Sequence, residues 1–181
     1  AMSERLSENA KEAAVPMLWF GQSSKAGDEF ANNNAKSGPF ELHSVYIPSS
    51  IDKLYYGGFC NDTIWPLFHY FPFISVFDKD TYAAYVEANK IFAEAIIKHL
   101  QPGDFLWVHD YQLFLLPELV RQATTGVKIG FFLHIPFPST EIYRIIPRPW
   151  REAILRGMLG ADLLGFHTFD YTYHFMRCVS R

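Results

Sequence analysis

The chain has 181 residues, 49% of them hydrophobic and 19% charged, which suits one globular domain with a sizeable core and excludes a disordered segment. Its net charge of −3 gives no electrostatic basis for binding nucleic acid or an anionic membrane. The only cysteines, Cys60 and Cys178, make no disulfide framework and no C-x-x-C site, so a reducing, cytoplasmic setting is expected, and no apolar run approaches the roughly 18 residues of a membrane span.

In chain order, Ala1 before Met2 reads as an expression scar, and Ser3 to Ala14 as a short polar helix without the apolar centre of a signal peptide. Met17 to Phe20 reads as a strand ending at Gly21, and Gln22 to Pro39, rich in Ser, Asn, Gly and Lys, as a loop. Leu42 to Ile47 is a second strand, stopped by Pro48. Ser49 caps a short helical segment through Tyr56, which Gly57-Gly58 is expected to break, and Thr63 to Tyr70 forms an aromatic helical segment closed by Pro72. The clearest helix runs from Asp78 to Leu100, with Tyr82, Tyr85, Val86, Asn89, Phe92 and Ile96 on one face at 3.6-residue spacing, and Pro102-Gly103 ends it.

Two apolar strands follow, Phe105 to His109 and Val127 to Ile135, separated by a helix from Pro117 to Ala123. A helix from Pro149 to Gly160, a strand from Leu163 to His167 and a last helix capped by Asp170 complete the order. Apolar strands alternating with helices predict an α/β fold, a Rossmann-like doubly wound parallel sheet covered on both faces, forming a single domain over residues 1–181.

Ligands of such sheets bind beyond the C-terminal ends of the strands. Those ends deliver His109-Asp110-Tyr111, His134 and His167-Thr168 to one edge. A carboxylate there must be solvated, paired or used on a ligand, so Asp110 is either a helix cap, half of an ion pair, or a holder of ligand hydroxyls. His134 is either a core histidine bonded to backbone or a ligand contact; His109 and Gln112 carry weaker claims, His109 being expected to turn inward. Pro136-Phe137-Pro138 stiffens the backbone after His134, and Ser139-Thr140-Glu141 opens a helix whose N–H groups could face an anion. Tyr55-Tyr56-Gly57-Gly58-Phe59 with Trp65-Pro66 is either core packing or an amphipathic wall for a sugar ring or phosphate. There is no Walker motif, no G-x-G-x-x-G, no H-E-x-x-H and no G-x-S-x-G elbow.

Trp107-Val-His-Asp110-Tyr-Gln-Leu-Phe-Leu-Leu-Pro117 resembles the W-[VI]-H-D-Y-x-L-x-x-[LV]-P signature of trehalose-6-phosphate synthases. Gly130-Phe-Phe-Leu-His-Ile-Pro-Phe-Pro-Ser-Thr-Glu-Ile142, the run from Tyr55 to Tyr70, and Asp162-Leu-Leu-Gly-Phe-His167 resemble three further segments of that family, in the same order. The resemblance implies the N-terminal, acceptor-side half of a GT-B glycosyltransferase. It also implies retaining transfer of glucose from UDP-glucose to glucose 6-phosphate, with no cofactor and no metal. It assigns Tyr56 and Trp65 to glucose 6-phosphate, Asp110 to acceptor hydroxyls near the attacking oxygen, His134 to the transferred glucosyl unit, and Tyr111, more weakly, to the acceptor side. The first strand with its S-N-R-like turn, the Gly-Gly donor loop and the nucleotide-binding domain have no counterpart in the sequence, and Gln22 stands where the family has Trp. From these departures the chain is expected to be inactive alone and to form a homo-oligomer through an uncovered sheet edge. The alternatives are a non-catalytic synthase-like regulatory module, or a relative with another acceptor such as a glucosylglycerol-phosphate synthase.

Overall fold

A computed structural model describes residues 17–23 and 40–181. The helix expected over 3–14 and the loop over 24–39 lie outside the described residues. The chain divides into two compact units, one ending at Ser49 and the other running from Ser50 to Arg181.

In the first unit, β1 (Met17–Ser23) pairs in parallel with β2 (Phe40–Tyr46), from Met17 against Phe40 to Ser23 against Tyr46. β1 is longer than its apolar core: Gln22 and Ser23, read as loop, stay in the ladder, because main-chain pairing is indifferent to side-chain polarity.

The second unit begins with a single helical turn, α1 (Ser49–Asp52), which continues into a π-helix (Lys53–Ile64) and then α2 (Trp65–Phe68). Gly57-Gly58 therefore does not break the helix. The reason is tertiary: this stretch buries Tyr55, Phe59, Cys60, Thr63 and Ile64 against the next helix. Gly58 sits where an added Cβ would come 2.6 Å from Thr81 Cγ2, so a side-chain-free position is what lets the two helices approach. Tyr70, at φ 66°, stops α2, and a short 3₁₀ turn (Pro72–Ile74) leads onward.

The long helix α3 (Lys79–Ile97) starts at Asp78, whose carboxylate accepts from the N–H groups of Asp80 and Thr81 at 2.9 and 3.0 Å. Its buried face carries Tyr85, Asn89, Phe92 and Ile96, as the spacing predicts. β3 (Phe105–His109), a 3₁₀ turn (Tyr111–Leu113), α4 (Leu116–Ala123), β4 (Lys128–Phe132), α5 (Thr140–Tyr143), α6 (Arg148–Leu159), β5 (Leu163–Gly165) and α7 (Phe169–Val179) follow. The three strands form a parallel sheet in the order β3-β4-β5. The fold is thus α/β with parallel sheets.

Among the described residues Phe105 and Trp107 of β3 are 59% and 48% exposed, and Leu163 of β5 is 68% exposed. Two readings need correction. Asp170 lies in the first turn of α7, and the cap is Thr168, whose side chain accepts from Tyr171 N at 3.4 Å. Ser139 precedes a helix of one turn only, and its own N–H donates to the Tyr70 hydroxyl at 3.0 Å rather than facing a ligand.

The core is aromatic. Tyr55, Phe59, Phe68, Tyr85, Phe114, Phe131 and Phe137 are all fully buried, each contributing about 1.5–3 kcal/mol by leaving water. No helix among the described residues is long and apolar enough to cross a membrane.

One polar clamp ties the layers. Arg121 at the end of α4 donates from Nη2 to Asp162 Oδ2 at 2.6 Å, from Nη1 to Val127 O at 2.9 Å and from Nε to Gly160 O at 3.2 Å, while Ile129 N–H of β4 donates to the same Asp162 oxygen at 2.8 Å. The Ile129 N–H first, and Arg121 second, hold the Asp162 carboxyl below the usual carboxylate range. A folded-state value below the unfolded one gives stability that is present above the unfolded pKa and is lost as pH falls through the folded one. Asp162→Asn should therefore lower Tm most at neutral pH, with the gap to the parent closing below the ordinary aspartate range; a gap that is constant down to strong acid contradicts this account.

Candidate active site

The C-terminal ends of β3, β4 and β5 bring His109 with Asp110, His134, and His167 to one edge of the sheet. Asp110 is the strained member. Its backbone lies at φ 71°, ψ 172°, a region that only glycine occupies freely and that costs other residues about 1–3 kcal/mol. Bonds on both sides hold it there: Asp110 N donates to Phe132 O at 2.8 Å, and Leu113 N donates to Asp110 O at 3.2 Å. Its side chain makes no cap for the following turn. Instead Oδ1 accepts from His134 N at 3.2 Å, and Oδ2 has no partner among the described residues. The helix-cap and ion-pair readings of Asp110 therefore fail, and a carboxylate oxygen faces outward.

His134 is exposed, so it is not a core histidine. Its ring rests on Phe132, with centroids 4.8 Å apart, and stands edge-on to His167 at 5.8 Å. His109 does not turn inward. Its Nδ1 lies 3.1 Å from His134 Nε2, and its ring stacks on Trp107 at 5.5 Å. Partial burial first, and His134 second, hold the His109 pKa below the usual histidine value, against the opposing pull of Asp110.

Tyr56 and Trp65 project from the π-helix and the start of α2, 46% and 42% exposed, so they are not core residues. Trp65 stacks on His69 at 4.1 Å. Tyr111 is buried, and its hydroxyl lies 3.5 Å from Asn61 Oδ1. Burial first, then Cys60, Tyr56 and Asp110, push its phenol well above the usual tyrosine value. Tyr111 is thus the buried member of this group, while Tyr56 and Trp65 are exposed.

Two residues that motif reasoning passes over hold this loop in place. Tyr85 of α3 donates to Tyr111 O at 2.7 Å and accepts from Phe114 N at 3.0 Å. Asn89, fully buried one turn on, donates to Tyr85 O and Gln112 O and accepts from Leu115 N. The signal was an asparagine on an apolar helix face: a buried amide requires partners, and here they are the backbone of the loop after β3.

The site has no cysteine nucleophile. Burial pushes the thiols of Cys60 and Cys178 up, so neither is a thiolate near neutral pH. Among the described residues no group of three or more His, Cys, Asp or Glu side chains could hold a metal. What the edge offers is an outward carboxylate oxygen and imidazoles, and the preceding helical segment carries the exposed rings of Tyr56 and Trp65. Those groups accept from and donate to the hydroxyls of a polyol and stack on its apolar face.

Residues 3–181 match the family model described as glycosyltransferase family 20. The chain is similar to an alpha,alpha-trehalose-phosphate synthase [UDP-forming] of Pichia angusta, 46% identical over 176 residues that cover 92% of this chain and 36% of that protein. Among solved structures it is similar to one described as trehalose-6-phosphate from E. coli bound with UDP-2-fluoro glucose, with TM-score 0.84 and 31% identity over 97% of this chain and 39% of that one. It is also similar to an alpha,alpha-trehalose-phosphate synthase (UDP-forming) from Burkholderia xenovorans in complex with glucose-6-phosphate, with TM-score 0.79 and 28% identity over 97% of this chain and 39% of that one. The chain thus spans little more than a third of the length of these relatives.

Proposed function

The chain belongs to glycosyltransferase family 20, and from that premise we propose that it forms the acceptor-side half of a trehalose-6-phosphate synthase, the N-terminal domain of a GT-B enzyme. The reaction proposed is retaining transfer of glucose from UDP-glucose to glucose 6-phosphate, without a cofactor. Asp110 accepts hydroxyls of the acceptor next to the attacking oxygen. His134 holds hydroxyls of the glucosyl unit in transfer. Tyr56 and Trp65 form the wall against which glucose 6-phosphate lies, and Tyr111 supports that wall from the inside.

The observation that carries this reading is the strained Asp110, with one carboxylate oxygen tied to His134 N–H and the other open. Transfer with retention asks for orientation of two sugars and for stabilisation of positive charge developing at the anomeric carbon. A fixed carboxylate beside an imidazole meets that need, and no protein nucleophile is required. Relatives whose names specify trehalose-phosphate synthesis, and neighbours that hold glucose-6-phosphate or a UDP-sugar analogue, supply the substrates by analogy. A cytoplasmic setting accords with two free, buried cysteines.

The test is UDP release from UDP-glucose and glucose 6-phosphate by the full reading frame that contains this segment. Turnover that requires both sugars supports the proposal. A folded protein with no turnover on any glucose-type acceptor makes the chain a non-catalytic, synthase-like module instead.

We also propose self-association along β3. It is an edge strand of its sheet among the described residues, and its outward side chains Phe105 and Trp107 are largely exposed. Light scattering of the chain is expected to give a dimer or larger species; a monomer at all concentrations overturns this.

A further inference from the structure

We propose that His109 is a positioning residue for His134, holding the His134 ring in one tautomer and one orientation at the strand ends. The inference rests on the reading of His134 as a substrate-facing group. It begins with register. β3 and β4 run in parallel with His109 opposite Phe132, so the residue two beyond Phe132 is carried past the end of the ladder, where no strand neighbour restrains it. An exposed side chain there would sample several rotamers, and ordering it would cost free energy on binding.

The structure supplies restraints from β3 instead. Asp110 Oδ1 fixes the backbone of His134 through its N–H at 3.2 Å. His109 Nδ1 fixes the ring through Nε2 at 3.1 Å. His109 is itself braced. Its ring lies nearly parallel to Trp107, at 18° and 5.5 Å, and Trp107 stands perpendicular to Phe105 at 6.1 Å. On the other side, Phe132 and His167 close on the His134 ring at 4.8 and 5.8 Å. Only one proton fits between two nitrogens at hydrogen-bond distance. Whichever ring carries it, the other must accept, so the tautomers of the two rings are coupled and the favoured tautomer of His109 sets that of His134, with Nδ1 left for a ligand. A sugar hydroxyl can donate or accept, so the tautomer of His134 decides which role that hydroxyl takes.

The test uses two variants in the full reading frame that contains this segment. His109→Phe keeps a ring on Trp107 and removes the nitrogen. His109→Asn returns a polar atom near the place of Nδ1. The first readout is the ¹⁵N spectrum of the His134 imidazole, which reports its tautomer without any need for turnover. The parent and His109→Asn are expected to show one tautomer, and His109→Phe a mixture. The second readout is steady-state UDP release. His109→Phe is expected to lower kcat about tenfold, with the KM for glucose 6-phosphate little changed and most of the loss recovered in His109→Asn. An unchanged His134 spectrum in His109→Phe overturns the proposal, as does an equal loss of kcat in both variants. If the parent releases no UDP, the catalytic reading fails, and the tautomer measurement alone decides this one.

Discussion

Asp110→Asn in the full-length protein is expected to lower kcat for UDP release by about 10²–10³-fold, the scale on which removal of one preorganised electrostatic group slows an enzyme. The substitution isolates charge from shape. Asparagine has the same size and branching as aspartate, so it meets the backbone at φ 71°, ψ 172° with the same steric cost as the residue it replaces. Its amide oxygen can still accept from His134 N, so the 3.2 Å bond that ties the two strand ends together survives. What is lost is the negative charge, together with the acceptor capacity of the second oxygen, half of which becomes a donor. If Asp110 serves only the fold, the variant should keep its activity, since every backbone bond that holds the loop remains available. Circular dichroism and the urea midpoint, expected to match the parent, separate a slowed enzyme from an unfolded one. Parental kcat and KM in Asp110→Asn would remove this residue from the site.

The largest effect on stability is expected at two glycines far from the carboxylate in sequence. A Cβ added at Gly157, on α6, would collide with Phe114 O and lie 2.8 Å from Leu115 Cα. One added at Gly160 would collide with Glu118 N and lie 2.6 Å from Glu118 Cα and Pro117 C. These neighbours are backbone, and the segment they belong to cannot retreat: Tyr85 and Asn89 already hold Phe114 N and Leu115 N from its other side. Gly157→Ala or Gly160→Ala should therefore cost about 3 kcal/mol or more, the upper end of the range for overpacking and a large share of the stability of an ordinary domain. Gly57→Ala is the contrast. Nothing lies within 4 Å of its added Cβ, so relief of glycine's entropy should leave stability unchanged or raise it by up to about 1 kcal/mol. Denaturation midpoints of the three variants test the pair of statements together. Equal effects at Gly57 and Gly157 would contradict the close approach of α6 to the start of α4.

Gly157 also connects packing to the site. The backbone it presses against begins four residues after Asp110, on the loop that carries the carboxylate. Overpacking there should disturb both stability and turnover, whereas Asp110→Asn should disturb turnover alone.

The legible part of this protein was the part written in local pattern. The 3.6-residue spacing of Tyr85, Asn89, Phe92 and Ile96 located α3 and its buried face to within a few residues. The apolar runs at 105–109 and 127–135 located two strands, the second of which pairs only over 128–132, and Asp110 and His134 meet at the sheet edge beyond them. Family motifs added the expected roles of Tyr56 and Trp65, which are indeed exposed rather than buried. What stayed illegible depended on partners distant in the chain. Gly57-Gly58 has the composition of a helix stop, yet the helix continues because Thr81 lies against Gly58. Tyr111 belongs to a motif, yet it points inward. His109 belongs to the same motif and was expected to face inward, yet its ring meets His134.

By itself, then, the amino-acid order determined the periodicities, the existence of the strands and the family, since each depends on residues close together in the chain or on their identities alone. Only the tertiary structure decided that Asp110 is held in a strained backbone with one oxygen free, that His109 and His134 share a hydrogen bond, and that Tyr85 and Asn89 secure the loop between them. Each of these joins residues about 25 apart, and such contacts exist only once parallel strands and the helices packed on them have brought remote segments within the 3 Å reach of a hydrogen bond.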